Sequence, residues 1–173
     1  MFIIRLASAA ALALACTGAH AQDAKPSDPQ IAHVAYTAGV IDIEAAKLAL
    51  EKSKTAAVRA FANDMVRDHS AVNDKALALV KKLKVTPQDN DTSKSLVKQA
   101  DATRKSLSSL SGAAFDKAYV DNEVAYHKVV EGALETVLIP GSTNPDLKAL
   151  LQTGLKIFQG HEQHAEHLAA SLK

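Results

Sequence analysis

Apolar residues in this chain recur every three or four positions along five successive segments, and nowhere do they alternate over the length of a strand. That spacing belongs to helices with one buried face, and punctuation residues mark where each helix starts and stops. Asp28-Pro29 reads as an N-cap followed by proline at the first helical position, opening a helix predicted to run to about Lys52. Ser53-Lys54-Thr55 makes a tight turn before a long second helix, which reaches about Lys84. The clearest loop is Thr86-Pro87-Gln88-Asp89-Asn90-Asp91, and a shorter amphipathic helix follows from about Thr92 to Leu110. Ser111-Gly112 interrupts the pattern, and Ser111 can cap a fourth helix running to Leu138. A second loop, Pro140 to Pro145, ends in Asn144-Pro145, which repeats the cap-plus-proline signal for the last helix. Long helices joined by short connections predict an all-α fold. The expected architecture is an up-and-down antiparallel four-helix bundle with one additional short helix. A chain of 173 residues suits a single domain of this kind.

The bundle is expected to occupy residues 28–173. Ahead of it, Met1-Phe2-Ile3-Ile4-Arg5 is a short basic start, Leu6 to Ala15 is apolar, and Ala19-His20-Ala21 places small residues before Gln22. This is the three-part plan of a secretory signal over residues 1–21, followed by a polar linker at 22–27. The apolar run is too short to span a bilayer. A periplasmic location is therefore expected, with lipid anchoring at Cys16 as the alternative. Cys16 is the only cysteine, so cleavage after Ala21 leaves a mature chain without thiol chemistry or disulfides. Loss of Arg5 takes Lys+Arg from 20 to 19 against Asp+Glu 19, and the formal charge falls from +1 to 0. A neutral surface offers no electrostatic reason to expect nucleic acid as a partner, and no transmembrane segment is expected in the mature chain.

Projecting each helix at about 100° per residue exposes an anomaly in the apolar faces. In the second helix His69 lies near the centre of a stripe from Val58 to Leu83, with Asn73 close by. In the fourth, Glu123 falls inside a stripe from Phe115 to Val137, with His127 on its flank. His161 is enclosed by Leu150, Leu151, Phe158 and Ala165 in the last helix, whereas His164 lies at the edge and His167 projects outward. In the first helix Asp42 lies inside the apolar arc and Glu44 outside it. Counting from the turns places Asp42 about one turn from His69, and Glu123 nearly level with His161. Whether these two layers coincide is left open, because the connection between the hairpins is long. Burying carboxylates and imidazoles is costly unless they pair or bind a metal. The candidate metal ligands are Asp42, His69, Glu123 and His161, with His127 as a further or outer ligand. The matching ions are Zn, Fe, Mn or Cu. The alternative is a hydrogen-bonded polar layer that fixes helix register. The run His161-Glu162-Gln163-His164-Ala165-Glu166-His167 reads as a solvated helix end, and His33 as a surface residue.

At these residues the chain resembles a bacterial exported family of unknown function, grouped with ferritin-like bundles and often labelled an outer membrane protein. The pieces that carry the resemblance are Ala38-Gly39-Val40-Ile41-Asp42-Ile43-Glu44, Phe61 to His69 with its Met65-Val66-Arg67-Asp68-His69, Gly112 to Tyr119 with its Phe115-Asp116-Lys117-Ala118-Tyr119, His127 and His161. The resemblance implies a ferritin-like bundle in the periplasm and brings no activity with it. The chain departs from the family pattern in having Asp42 where a Glu is usual and Leu155-Lys156 where Leu-Pro is common. Ferritin-like di-iron enzymes carry Glu-x-x-His on two helices. Here His69 follows Val66 and His161 follows Phe158 at that spacing, so a standard di-iron centre is not expected. No nucleophile elbow and no glycine-rich phosphate loop is present either. The sequence therefore points to a metal-binding or stress-related bundle, with a structural or interaction protein of the envelope as the alternative, and leans away from an enzyme.

Overall fold

The computed structural model describes residues 25–172, so the expected signal and Cys16 lie outside the described residues. Five helices follow: α1 (Asp28–Lys52), α2 (Ala56–Leu83), α3 (Asp91–Ser108), α4 (Gly112–Ala133) and α5 (Pro145–Ser171). The described residues contain no strand. The chain descends α1, returns up α2, descends α3, ascends α4 and descends α5. α1 and α2 form one antiparallel hairpin and α4 and α5 the other, and α2 packs on α5 to join them. α3 lies outside the four-helix core, against α1 and more lightly against α4. This is the predicted bundle with its additional short helix.

The helix ends show why the boundaries fall where they do. Asn144 accepts hydrogen bonds from the backbone N–H groups of Asp146 and Leu147, each 3.0 Å long, as the cap-plus-proline signal predicts. At α1 the cap is Ser27, whose backbone N–H donates to Gln30 Oε1 at 2.9 Å, and Asp28 is already the first helical residue. Freed from capping, the Asp28 carboxylate reaches across the bundle. It accepts hydrogen bonds from the backbone N–H of Thr143 and of Asn144, both at 2.9 Å, and from the hydroxyls of Ser142 and Thr143. The start of α1 is thereby stapled to the α4–α5 connection.

One register expectation is corrected. The apolar stripe of α4 was expected to include Val137, which is 46% exposed, while Leu138 is buried. The physical reason is a wide, π-helical turn from Leu134 to Leu138, continued by a last helical turn at Ile139–Gly141. A π-turn inserts one extra residue into the helical period and rotates the side chains beyond it. Pro140 lacks the N–H that an undisturbed helix would use there.

Two apolar clusters fill the bundle. The lower one gathers Ala46, Ala49, Val58, Phe61, Met65, Phe115, Tyr119 and Ala165. The upper one gathers Ile31, Val34, Ala38, Val130, Leu134, Leu151 and Phe158. In every core helix the gap between the clusters is where the ionisable residue falls. The two helix hairpins are therefore in register, and the question left open by the sequence is answered by a single polar stratum between two apolar ones. Gly39 sits at this level because α1 and α2 approach closely. A Cβ there would lie 2.5 Å from Oδ1 of buried Asn73.

Candidate metal centre

All five side chains singled out in the sequence meet in this stratum. Asp42, His69 and Glu123 are each 1% exposed, His127 is fully buried and His161 is 7% exposed. The amphipathic helices place them there because their flanking core residues, one turn above and one turn below, leave no other direction for the side chain. His69 Nε2 lies 3.2 Å from His161 Nδ1 and 3.4 Å from Asp42 Oδ2. The imidazoles of His69, His127 and His161 can each present a ring nitrogen within 4.8 Å of the other two, and Asp42, Glu123 and His127 form a second such group sharing His127. Phe158 closes the stratum from above, its ring 4.7 Å from that of His69 and 5.1 Å from that of His127, centre to centre.

The outward nitrogens decide which way the inner ones face. His127 Nδ1 is 2.8 Å from the carbonyl oxygen of Glu123 and must donate to it, because a carbonyl only accepts. In a neutral ring this leaves Nε2 as a bare lone pair, and that atom is buried with no hydrogen-bond partner. His161 repeats the arrangement, with Nε2 donating to Asp68 Oδ2 at 3.1 Å and Nδ1 turned inward. Both oxygens of Asp42, Oε2 of Glu123 and the hydroxyl of Tyr119 are also buried without a hydrogen-bond partner.

Burial governs the charge state of every member. It depresses His69 to about 3, helped by the neighbouring rings of His161 and His127, and depresses His127 to about 4. His161 is lowered by burial although Asp68 pulls the other way. Asp42 is raised well above the usual carboxylate range, by burial first and then by Glu123, and burial lifts Glu123 to about 8. Near neutrality the stratum thus holds neutral imidazoles beside carboxyl groups that keep their protons.

The chain belongs to the family described as Domain of unknown function (DUF4142). The DUF4142 match runs over residues 14–168 and takes in all five core residues. No curated protein and no solved structure matches the chain. Membership of DUF4142 carries no activity, so the chemistry has to come from the side chains. Their arrangement can do two things. It can gather a cation between lone pairs, or it can form a hydrogen-bonded layer in which His69 donates to His161.

Two participants escaped the sequence argument. Asp68, adjacent to His69 but facing the surface, orients His161 and is itself gripped by Arg67, whose Nε and Nη2 donate to its two oxygens at 2.7 and 2.8 Å. An acid on an exposed flank gives no signal in a hydrophobic projection. Tyr119, one turn before Glu123, is fully buried and read simply as part of the stripe. Only its orphaned hydroxyl distinguishes it. Among the described residues the other histidines behave as expected: His164 and His167 are exposed, and His33 is a partly exposed residue whose Nε2 is 3.9 Å from Asp89. Glu44 is exposed, outside the stratum, and pairs with Arg104 on α3.

Proposed function

We propose that this protein is a periplasmic metal-binding bundle of ferritin-like type, holding one divalent transition-metal ion in the polar stratum. The observation that carries the reading is the set of inward lone pairs. The distances of 3.2 and 3.4 Å among His161, His69 and Asp42 match the edge of a tetrahedron with bonds of about 2.0–2.1 Å, which is roughly 3.3–3.4 Å. The outward nitrogens of His127 and His161 are held by a carbonyl and a carboxylate, the usual support of a metal-ligating imidazole. Three neutral imidazoles with one or two carboxylates suit Zn, Fe or Cu better than hard ions, with Mn the least favoured of the four. Asp42, shorter than the usual Glu, reaches His69 and stays within the cluster. A bundle of this type holds its metals in the same place, between facing helices.

The direct test is metal content of the mature protein purified without an affinity tag. About one equivalent of a single transition metal is expected, removable by chelation. A protein that is metal-free as isolated, and unmoved in melting temperature by Zn, Cu, Fe, Mn or Ni, would leave the register-fixing layer as the better account. Asp68→Asn provides a finer check. Loss of the carboxylate behind His161 is expected to weaken metal affinity by about 10–100-fold. The amide oxygen of the Asp68→Asn side chain can still accept from His161, so the apo fold should lose no more than about 1 kcal/mol. A competition titration against a chromophoric chelator measures the first and urea unfolding the second.

A further inference from the structure

Glycine is the least favourable helix residue after proline, and in the middle of a long helix it ordinarily marks a close approach. Gly154 breaks that rule. It lies in the interior of α5 and is buried, yet a Cβ built on it would have no neighbour within 4 Å. The missing side chain leaves room that nothing else fills. Gly154 borders a cavity of about 270 Å³ in the upper half of the bundle, walled by Ala38, Val72, Ala76, Val130, Leu134 and Phe158 among others. Protein interiors rarely leave voids larger than a water molecule. A void of about 150 Å³ accepts benzene, so this one has room for roughly ten carbon atoms.

Its shape and chemistry narrow the occupant. Wall residues run from Leu147 to Phe158 on α5 and from Val72 to Val80 on α2. At about 1.5 Å per residue these stretches measure roughly 16 and 12 Å, so the space is long and slim, like an extended hydrocarbon chain. No charged side chain lines it, and its few polar groups include Asn90 and Thr92 at the start of α3. The rim carries Val129 and Val137, 64% and 46% exposed, which are unusual residues to leave in water. The π-helical turn supplies Leu134, Val137 and Leu138 to the same wall, and such turns concentrate at functional positions. Phe158 forms the far end and is shared with the His69 and His127 rings.

We infer that this cavity binds the hydrocarbon chain of a single-chain amphiphile of about ten carbons, with its polar head left at the exposed rim beside α3. The buried glycine and the π-turn keep the space open for it. The inference does not depend on the metal, and its test uses the mature protein after chelation. Calorimetric titration with n-alkanoates of six, eight, ten and fourteen carbons, each below its micelle concentration, is expected to show affinity rising about tenfold for every two carbons up to ten and level beyond. Gly154→Leu, which places its side chain in the void, is expected to weaken decanoate binding at least tenfold. Gly154→Ala, which removes the helix penalty while filling little space, is expected to melt higher than the parent and keep most of the affinity. Isotope-labelled decanoate should also show magnetisation transfer to Leu134 and Phe158 in the unmodified protein, so the assignment survives a poorly folding Leu variant. Absence of binding, affinity that climbs without levelling to fourteen carbons, or unchanged binding in a folded Gly154→Leu protein would overturn it.

Discussion

Zinc added to the chelated mature protein is expected to raise its melting temperature by about 10 °C. An ion that binds only the folded state, supplied at about a thousand times its dissociation constant, stabilises by roughly 4 kcal/mol. A domain of this size gains about 2–4 °C per kcal/mol. The folded chain has the geometry ready, because His69, His127 and His161 are already held with ring nitrogens within 4.8 Å of one another. The unfolded chain has no such site, since these residues lie on three different helices. His127→Ala removes a lone pair that has no other partner in the core, and is expected to abolish the zinc shift altogether. The substitution also opens a cavity, so the apo variant should melt lower by itself; the relevant quantity is the difference between zinc and chelator for each protein. A register-fixing layer predicts a different outcome. It gives no zinc shift in the parent, and His69→Leu with His161→Leu would then be neutral or stabilising, as replacement of buried polar groups by well-packed apolar ones often is.

Most of the fold was legible because it rests on periodicity and on punctuation, both local properties. The five helices and the inward positions of Asp42, His69, Glu123 and His161 follow from the 3.6-residue repeat, and the Asn144-Pro145 start from its cap and proline, whereas His127, read as a flank residue, is fully buried. What escaped was set by contacts between distant segments. Asp28 looked like a cap because its neighbour is proline, but its carboxylate is drawn to the loop around Thr143, more than a hundred residues away, and Ser27 caps in its place. Val137 fitted the stripe of an unbroken helix, and no local rule announced the π-turn that rotates it outward. The height of one hairpin against the other is a tertiary fact, decided by how α2 packs on α5. That single fact converts two separate acid–histidine pairs into one stratum. Asp68 was invisible for a related reason: it acts across a helix interface on His161, and its own exposure made it look like ordinary surface.

The second large effect is a pH dependence that the apo protein shows and the metal-bound protein lacks. In the apo fold Glu123 is raised by burial to about 8 from an ordinary 4.5, so the folded chain keeps a proton that the unfolded chain releases. Its contribution to stability is whole below pH 4.5 and is lost as pH rises toward 8; Asp42 acts in the same direction. His69 and His127, depressed to about 3 and 4 from 6.5, act oppositely: their contribution is present above pH 6.5 and lost as pH falls through 4 and 3. The opposing effects largely cancel between 4.5 and 6.5. Above 6.5 only the carboxyl effect remains, and apo stability from urea unfolding is expected to fall by about 2 kcal/mol between pH 6.5 and 8 from Glu123 alone. Glu123→Gln, which is the same shape without the ionisation, should remove Glu123's share of that fall, leaving only the part due to Asp42, and make the apo protein more stable than the parent at pH 8, while weakening metal binding. A bound cation removes this dependence, because it requires the carboxylate ionised and the imidazoles neutral, as they already are in the unfolded chain, and its binding releases the protons that the apo core retains. The metal-loaded protein should therefore hold its stability over the same interval in which the apo protein loses it, while metal affinity rises. If the apo protein holds its stability up to pH 8, Glu123 is already ionised in the fold and the buried carboxyl pair does not keep its protons.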